Sequence, residues 1–191
     1  MNLGARLLNI YAIPGDVFDE VMAAPPKLAN WLVPTLLTCL AALSLSGTTP
    51  PAGTRLMAAC LSPLAGALWS AFVLWSIGRV FLRVRLSYLK TLEIVGLTGM
   101  ILLLGTLITA LWGWAAGDAT IRPALSMLLR GGAGPKGFRQ VLELLNVFQL
   151  WSASVLAVGL SKLGGVSFKE AAFWVFGYWF LLRLALILLA W

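Results

Sequence analysis

The chain contains no histidine, only two cysteines and only seven acidic residues among 191. Without an imidazole there is no Ser-His pair, no His general base, no His-ligated metal and no His-ligated haem. Cys39 and Cys60 lack metal-ligand spacing and read as small buried hydrophobes, with a disulfide between them left open. No Gly-x-Ser-x-Gly elbow is present. The run Gly131-Gly132-Ala133-Gly134-Pro135-Lys136-Gly137 resembles a phosphate loop in composition alone, because a Walker A loop needs Gly-Lys-Ser/Thr ahead of a helix. Charge is scarce too: 11% of residues are charged, against about 25% in soluble domains. Neither an enzyme nor a cofactor is expected.

Apolar sequence is what the chain has in quantity. Hydrophobic residues make up 60% of it and mean hydropathy is +0.92. Five apolar runs lie between Lys27 and Arg55, Arg55 and Arg79, Glu93 and Asp118, Glu143 and Lys162, and Glu170 and Trp191. Each is close to the ~17–25 residues that a helix needs to cross a bilayer, and only the last is interrupted, by Arg183. Backbone groups in hydrocarbon must bond within their own segment, so helices are required. The expected fold is an all-α membrane protein with five transmembrane helices. The spans run from about Leu28 to Ser46, Leu56 to Val80, Ser87 to the Trp112/Trp114 pair, Val141 to Leu160, and Ser167 onward. Ser87 is the expected N-cap of the third span, and Ser167 with Glu170 forms a capping box for the fifth. Gly66 with Ser70, Gly113 with Gly117, and Ala153 with Ala157 supply small-xxx-small spacing for close helix packing.

Residues 1–26 read as a short amphipathic, interfacial region ahead of a membrane domain at 27–191. Leu3, Leu7, Leu8 and Tyr11 share one helical face, with Asn2, Arg6 and Asn9 largely opposite. Because Arg6, Asn9 and Pro14 interrupt the first apolar residues, a cleaved signal peptide is not expected. Pro14-Gly15-Asp16 restarts the helix, placing Val17, Phe18, Val21 and Met22 together and leaving Asp16, Asp19 and Glu20 solvated. Pro25-Pro26 ends it.

Lys and Arg in the connecting segments set the orientation. Arg6, Lys27, Arg79, Arg83, Arg85, Lys90, Lys162 and Lys169 fall on one side; Arg55, Arg122, Arg130, Lys136 and Arg139 fall on the other. The excess places the N-terminus in the cytosol and the C-terminus outside. The net charge of +7 follows from these flanking residues, and no continuous basic run suits nucleic acid. Ionisable and amide groups at membrane depth nominate two sites: an intramembrane polar cluster of Glu143, Asn146, Gln149 and Arg183, and an inner-interface ion site of Glu93 and Arg79. Interhelical hydrogen bonding and a transport pathway both accommodate the first cluster.

Several short motifs resemble one family. Ile13-Pro14-Gly15-Asp16-Val17-Phe18 precedes Ala24-Pro25-Pro26, and Leu86-Ser87-Tyr88-Leu89-Lys90 opens the third span. The fourth carries Leu145-Asn146-Val147-Phe148-Gln149-Leu150-Trp151 and Ala157-Val158-Gly159-Leu160, and Ser167-Phe168-Lys169-Glu170-Ala171 enters the fifth. From about Leu8 to Leu184 the chain resembles the bacterial branch of the Yip family of five-span membrane proteins. That resemblance implies residence in the bacterial cytoplasmic membrane and a non-enzymatic role in membrane organisation. The implied partners are the lipid bilayer and a membrane protein or a second copy. Eukaryotic members associate with Rab-type GTPases. The chain lacks their long N-terminal region and their Asp-Leu-Tyr-Gly-Pro motif, so that partner is not expected. A small transporter, or an accessory subunit of one, is the alternative function.

Overall fold

The computed structural model describes residues 1–45, 52–117 and 146–189, and within them every regular element is a helix. In chain order these are α1 (Leu3–Asn9), α2 (Pro14–Ala23), α3 (Ala29–Leu45), α4 (Ala52–Val80), α5 (Tyr88–Ala116), α6 (Val147–Gly164) and α7 (Phe168–Leu189). The stretches Leu56–Val80, Tyr88–Ala116 and Val147–Gly164 are long and apolar enough to cross a membrane, and Ala29–Leu45 is a shorter apolar helix.

Local chemistry explains most of the boundaries. Asn2 caps α1, its side chain accepting from the Ala5 N–H at 2.8 Å. Pro14 starts α2, where a missing N–H costs nothing. Ser87 stands at the N-cap of α5 as expected, but its side chain makes no capping bond; its carbonyl takes the Thr91 N–H and hydroxyl. Ser167 does accept from the Glu170 N–H, at 3.3 Å. Of the fourth span, expected from about Val141 to Leu160, residues 141–145 lie outside the described residues; the described helix follows an Asn146 cap and continues to Gly164, where Gly165 closes it at φ 62°. Gly117 is likewise a left-handed cap at φ 64°, so the Gly113–Gly117 pair contributes one buried packing residue and one helix stop.

α5 is the central element, packed against α3, α4 and α6, with α6 packed in turn on α7. Ala71, Leu74 and Ile77 of α4, Leu92 and Val95 of α5, Ala153 and Ala157 of α6, and Val175 of α7 share one buried cluster. Close approach replaces large side chains at two crossings. A Cβ on Gly96 would overlap the Cα of Trp31, so this glycine sets the α3–α5 distance. A Cβ on Gly159 would overlap Ile94 and press on the Phe18 ring.

The Phe18 contact shows where the N-terminal helices lie. Ile10, Val17, Phe18 and Val21 are fully buried with Ile94, Leu97, Ile101 and Val155 in a second cluster. α1 and α2 form a hairpin laid along α5 and α6. Its open end meets Lys90, whose Nζ donates to the carbonyls of Val21 and Ala24, and its tip meets Met100, whose carbonyl accepts from the Tyr11 hydroxyl at 2.9 Å. Those α5 residues are about 15 Å apart along the axis. The Tyr11 ring also lies 6.0 Å from that of Trp151 on α6. The expected polar face of α1 is corrected here: Arg6 is buried and Leu8 is 72% exposed.

Candidate functional site

Two groups of polar side chains sit inside the apolar bundle. The first joins α1, α2, α3 and α5. Glu93, one turn into α5, is 1% exposed. Its Oε1 accepts from Asn30 Nδ2 at 2.6 Å and from the Lys27 N–H at 2.7 Å. Its Oε2 faces Lys90 Nζ at 3.1 Å as an ion pair without hydrogen-bond geometry. Asn30 Oδ1 accepts from Arg6 at 3.2 Å, and the other arm of that guanidinium reaches Glu20 at 2.9 Å. The Met1 ammonium also bonds Glu20. The Met1 ammonium and then Arg6 hold the Glu20 carboxyl below its ordinary value. The result is a continuous chain of polar contacts from the surface to a fully buried carboxylate. Single charges buried there would be costly, and pairing them removes most of that cost.

The structure does not bring together Glu93 and Arg79 of the expected inner-interface ion site. Lys90 is the cation at Glu93, whereas Arg79 lies over the Trp75 ring, 4.8 Å from its centroid, as a cation–π contact. Sequence reading places Arg6 on the polar face of α1 and does not single out Asn30. They lie 14 and 63 residues from their acidic partners Glu20 and Glu93, separations that no local spacing connects.

The second group lies deeper. A cavity of about 240 Å³ opens between α3, α4, α5 and α6, bordered by Pro34, Gly66, Ser70, Thr98 and Ser152. It shares Ser70, Leu102, Ser152 and Leu156 with a neighbour of about 200 Å³ that also holds Gln149 and Arg183. Thus Gln149 and Arg183 of the expected polar cluster do border one space. Asn146 lines an adjoining cleft with Gln149, but its side chain is engaged at the α6 cap by the Phe148 N–H, at 2.9 Å. Glu143 falls outside the described residues. Sequence reading assigned Ser70 to helix packing alone and missed Thr98 and Ser152, three hydroxyls on three different helices; hydropathy scores them as tolerable span residues and carries no information on which face they occupy.

Among the described residues no group of three His, Cys, Asp or Glu side chains could hold a metal, and both cysteines are free, with Cys39 Sγ donating to the Cys60 carbonyl at 3.5 Å. No curated protein and no solved structure matches the chain. The model of the Yip1 domain matches residues 8–190, which takes in α2 to α7, the buried Glu93 and both cavities, and the chain therefore belongs to the Yip1 domain family.

Proposed function

We propose that the protein is a five-span integral membrane protein of the bacterial cytoplasmic membrane, with its N-terminus in the cytosol and its C-terminus outside. In this reading residues 1–26 lie at the inner boundary and 27–191 form the membrane domain. It acts without catalysis, in membrane organisation, by associating with lipid and with another membrane protein or a second copy. The observation that carries the reading is the set of apolar helices of membrane-crossing length with large apolar side chains outward, such as Leu40, Leu61, Trp69, Trp114, Phe173 and Leu181. Beside the stretches Leu56–Val80, Tyr88–Ala116 and Val147–Gly164, α3 has 17 residues and α7 has 22. They extend about 25 Å and about 33 Å, near the ~30 Å of a hydrocarbon core.

The test is topological. In a background with Cys39 and Cys60 replaced, single cysteines at exposed Arg85 and at Gly134 should react with an impermeant thiol reagent from opposite sides of the membrane. Labelling of both from one side removes the five-span arrangement. The cavities favour one second reading, a small transporter or accessory subunit. Substrate-dependent flux in proteoliposomes that disappears in Gln149→Leu would select it over association.

A further inference from the structure

Most hydroxyls in the spans satisfy themselves, those of Thr35 and Thr38 on the first cavity included. Thr35, Thr38, Thr91, Thr106, Thr109 and Ser154 each donate to the carbonyl four residues earlier. Other polar groups on the two cavities do not. Thr98, 1% exposed, has no hydrogen-bond partner, and neither does the buried Oε1 of Gln149. Ser70 and Ser152 also make no hydrogen bond in the fold. Arg183 borders the same space with no carboxylate bridged to it among the described residues. Buried polar groups ordinarily find partners, and a guanidinium at membrane depth needs an anion or a route to the headgroups. Two buried unpartnered groups, two further hydroxyls and one unbridged cation around adjoining cavities therefore describe a site shaped for something the fold does not itself supply.

We propose that these adjoining cavities bind an anionic phospholipid headgroup, with its phosphate on Arg183 and its hydroxyl groups toward Gln149, Ser152 and Thr98. A planar guanidinium suits two phosphate oxygens at once. The Gln149 carbonyl lacks a donor, which a headgroup hydroxyl provides and a choline does not. Leu102, Leu156 and Leu182 give the cavity apolar walls against which a glycerol backbone and the start of an acyl chain can lie. Arg183 stands about 9 Å along the axis from the end of α7 at Leu189, a span that the long side chain and an inward-drawn headgroup cover together. The inference rests on α7 crossing the membrane, and that premise has its own test in the labelling experiment.

Binding to the full chain in detergent is measured with dihexanoyl phosphatidylglycerol, dihexanoyl phosphatidylcholine and inorganic phosphate as probes. The glycerol lipid should bind at least tenfold more tightly than the choline lipid. Arg183→Met should weaken it at least tenfold and abolish the discrimination, with Arg183→Lys retaining part of it. Thr98→Val with Ser152→Ala should weaken the glycerol lipid several-fold and leave the choline lipid unchanged. Because Arg183→Met removes a charge from an apolar setting, the variant should fold, and its helical content and melting temperature verify that. Equal binding of the two lipids, or an unaffected Arg183→Met, overturns the site. Inorganic phosphate binding as tightly as the glycerol lipid overturns the lipid source in favour of a soluble anion. Strong stability coupling of Arg183→Met with Glu143→Gln and no lipid discrimination makes Glu143 the counter-ion and overturns it as well. A failed labelling experiment would leave the lipid preference in detergent intact, so the two readings fail separately.

Discussion

Glu93 shows how much a single buried carboxylate can organise. It accepts from the Asn30 amide and the Lys27 backbone N–H through one oxygen and faces the Lys90 ammonium with the other. Removing it would leave Lys90 without its counter-ion in a site where that residue is about nine-tenths buried. Loss of one partner from a buried pair costs ~3–5 kcal/mol, more than the pair itself contributes against apolar replacement. Glu93→Leu should therefore destabilise the folded protein by about that much. Glu93→Gln keeps an acceptor for Asn30 and Lys27 and should cost clearly less, and Lys90→Met should recover part of the Glu93→Leu loss. Thermal unfolding in detergent measures all three. Equal losses in Glu93→Leu and Glu93→Gln would show that the acceptor role is unimportant. The sequence flagged Glu93 because an ionisable residue at the edge of an apolar run is visible in one dimension. It mispaired the residue with Arg79 because the true cation, Lys90, is set by helix spacing at i+3 and by the docking of α2.

At the level of elements, the spans were legible and the N-terminal hairpin was only half so. A run of apolar residues in the spanning range announces a helix whatever its neighbours are, which is why the extents of α3, α4 and α5 follow the sequence closely. The face of a short helix is different. Arg6 on α1 turns inward to Asn30 and Glu20, and Ile10 and Tyr11, just past its end, reach α5. Amphipathic spacing shows that two faces exist and cannot show that the polar one also packs. The grouping of Val17, Phe18 and Val21 on α2 was readable, and these residues are the hairpin's buried anchors. Phe18 fills the gap left by Gly159. Phe18→Ala should cost up to ~3–5 kcal/mol, less any part due to water transfer if the unfolded side chain stays in lipid. Leu8→Ala, at an exposed position, should stay within ~0.5 kcal/mol. Faster proteolysis of residues 1–26 in Phe18→Ala than in Leu8→Ala is the expected readout; equal rates would mean that the hairpin does not depend on its buried face.

Across the whole molecule, the hairpin is joined to the bundle by apolar packing along its length and by charge at its open end. The charged contacts are unequal. Lys162 and Asp19 pair at 2.6 Å, but both side chains are largely exposed, and such a pair contributes ~0–1 kcal/mol. The Arg6–Glu20 contact matters more because Arg6 is 4% exposed, and protonated Glu20 would leave that guanidinium with Asn30 as its remaining acceptor. The Met1 ammonium and Arg6 depress the Glu20 carboxyl below its ordinary value of 4.5. A depressed carboxyl stabilises the folded state fully above that ordinary value, and the contribution is lost as pH falls through the lower, folded-state value. Acidification below the ordinary carboxylate range should thus loosen the hairpin from α5 and α6 while the spans, held by apolar contact and internal backbone bonds, stay folded. Amide hydrogen exchange of residues 3–23 should rise selectively in that window. Glu20→Gln should show the faster exchange already at neutral pH and lose most of its dependence on acid. Exchange that rises equally in the hairpin and in α5 would place the acid-sensitive contact in the bundle rather than at Glu20.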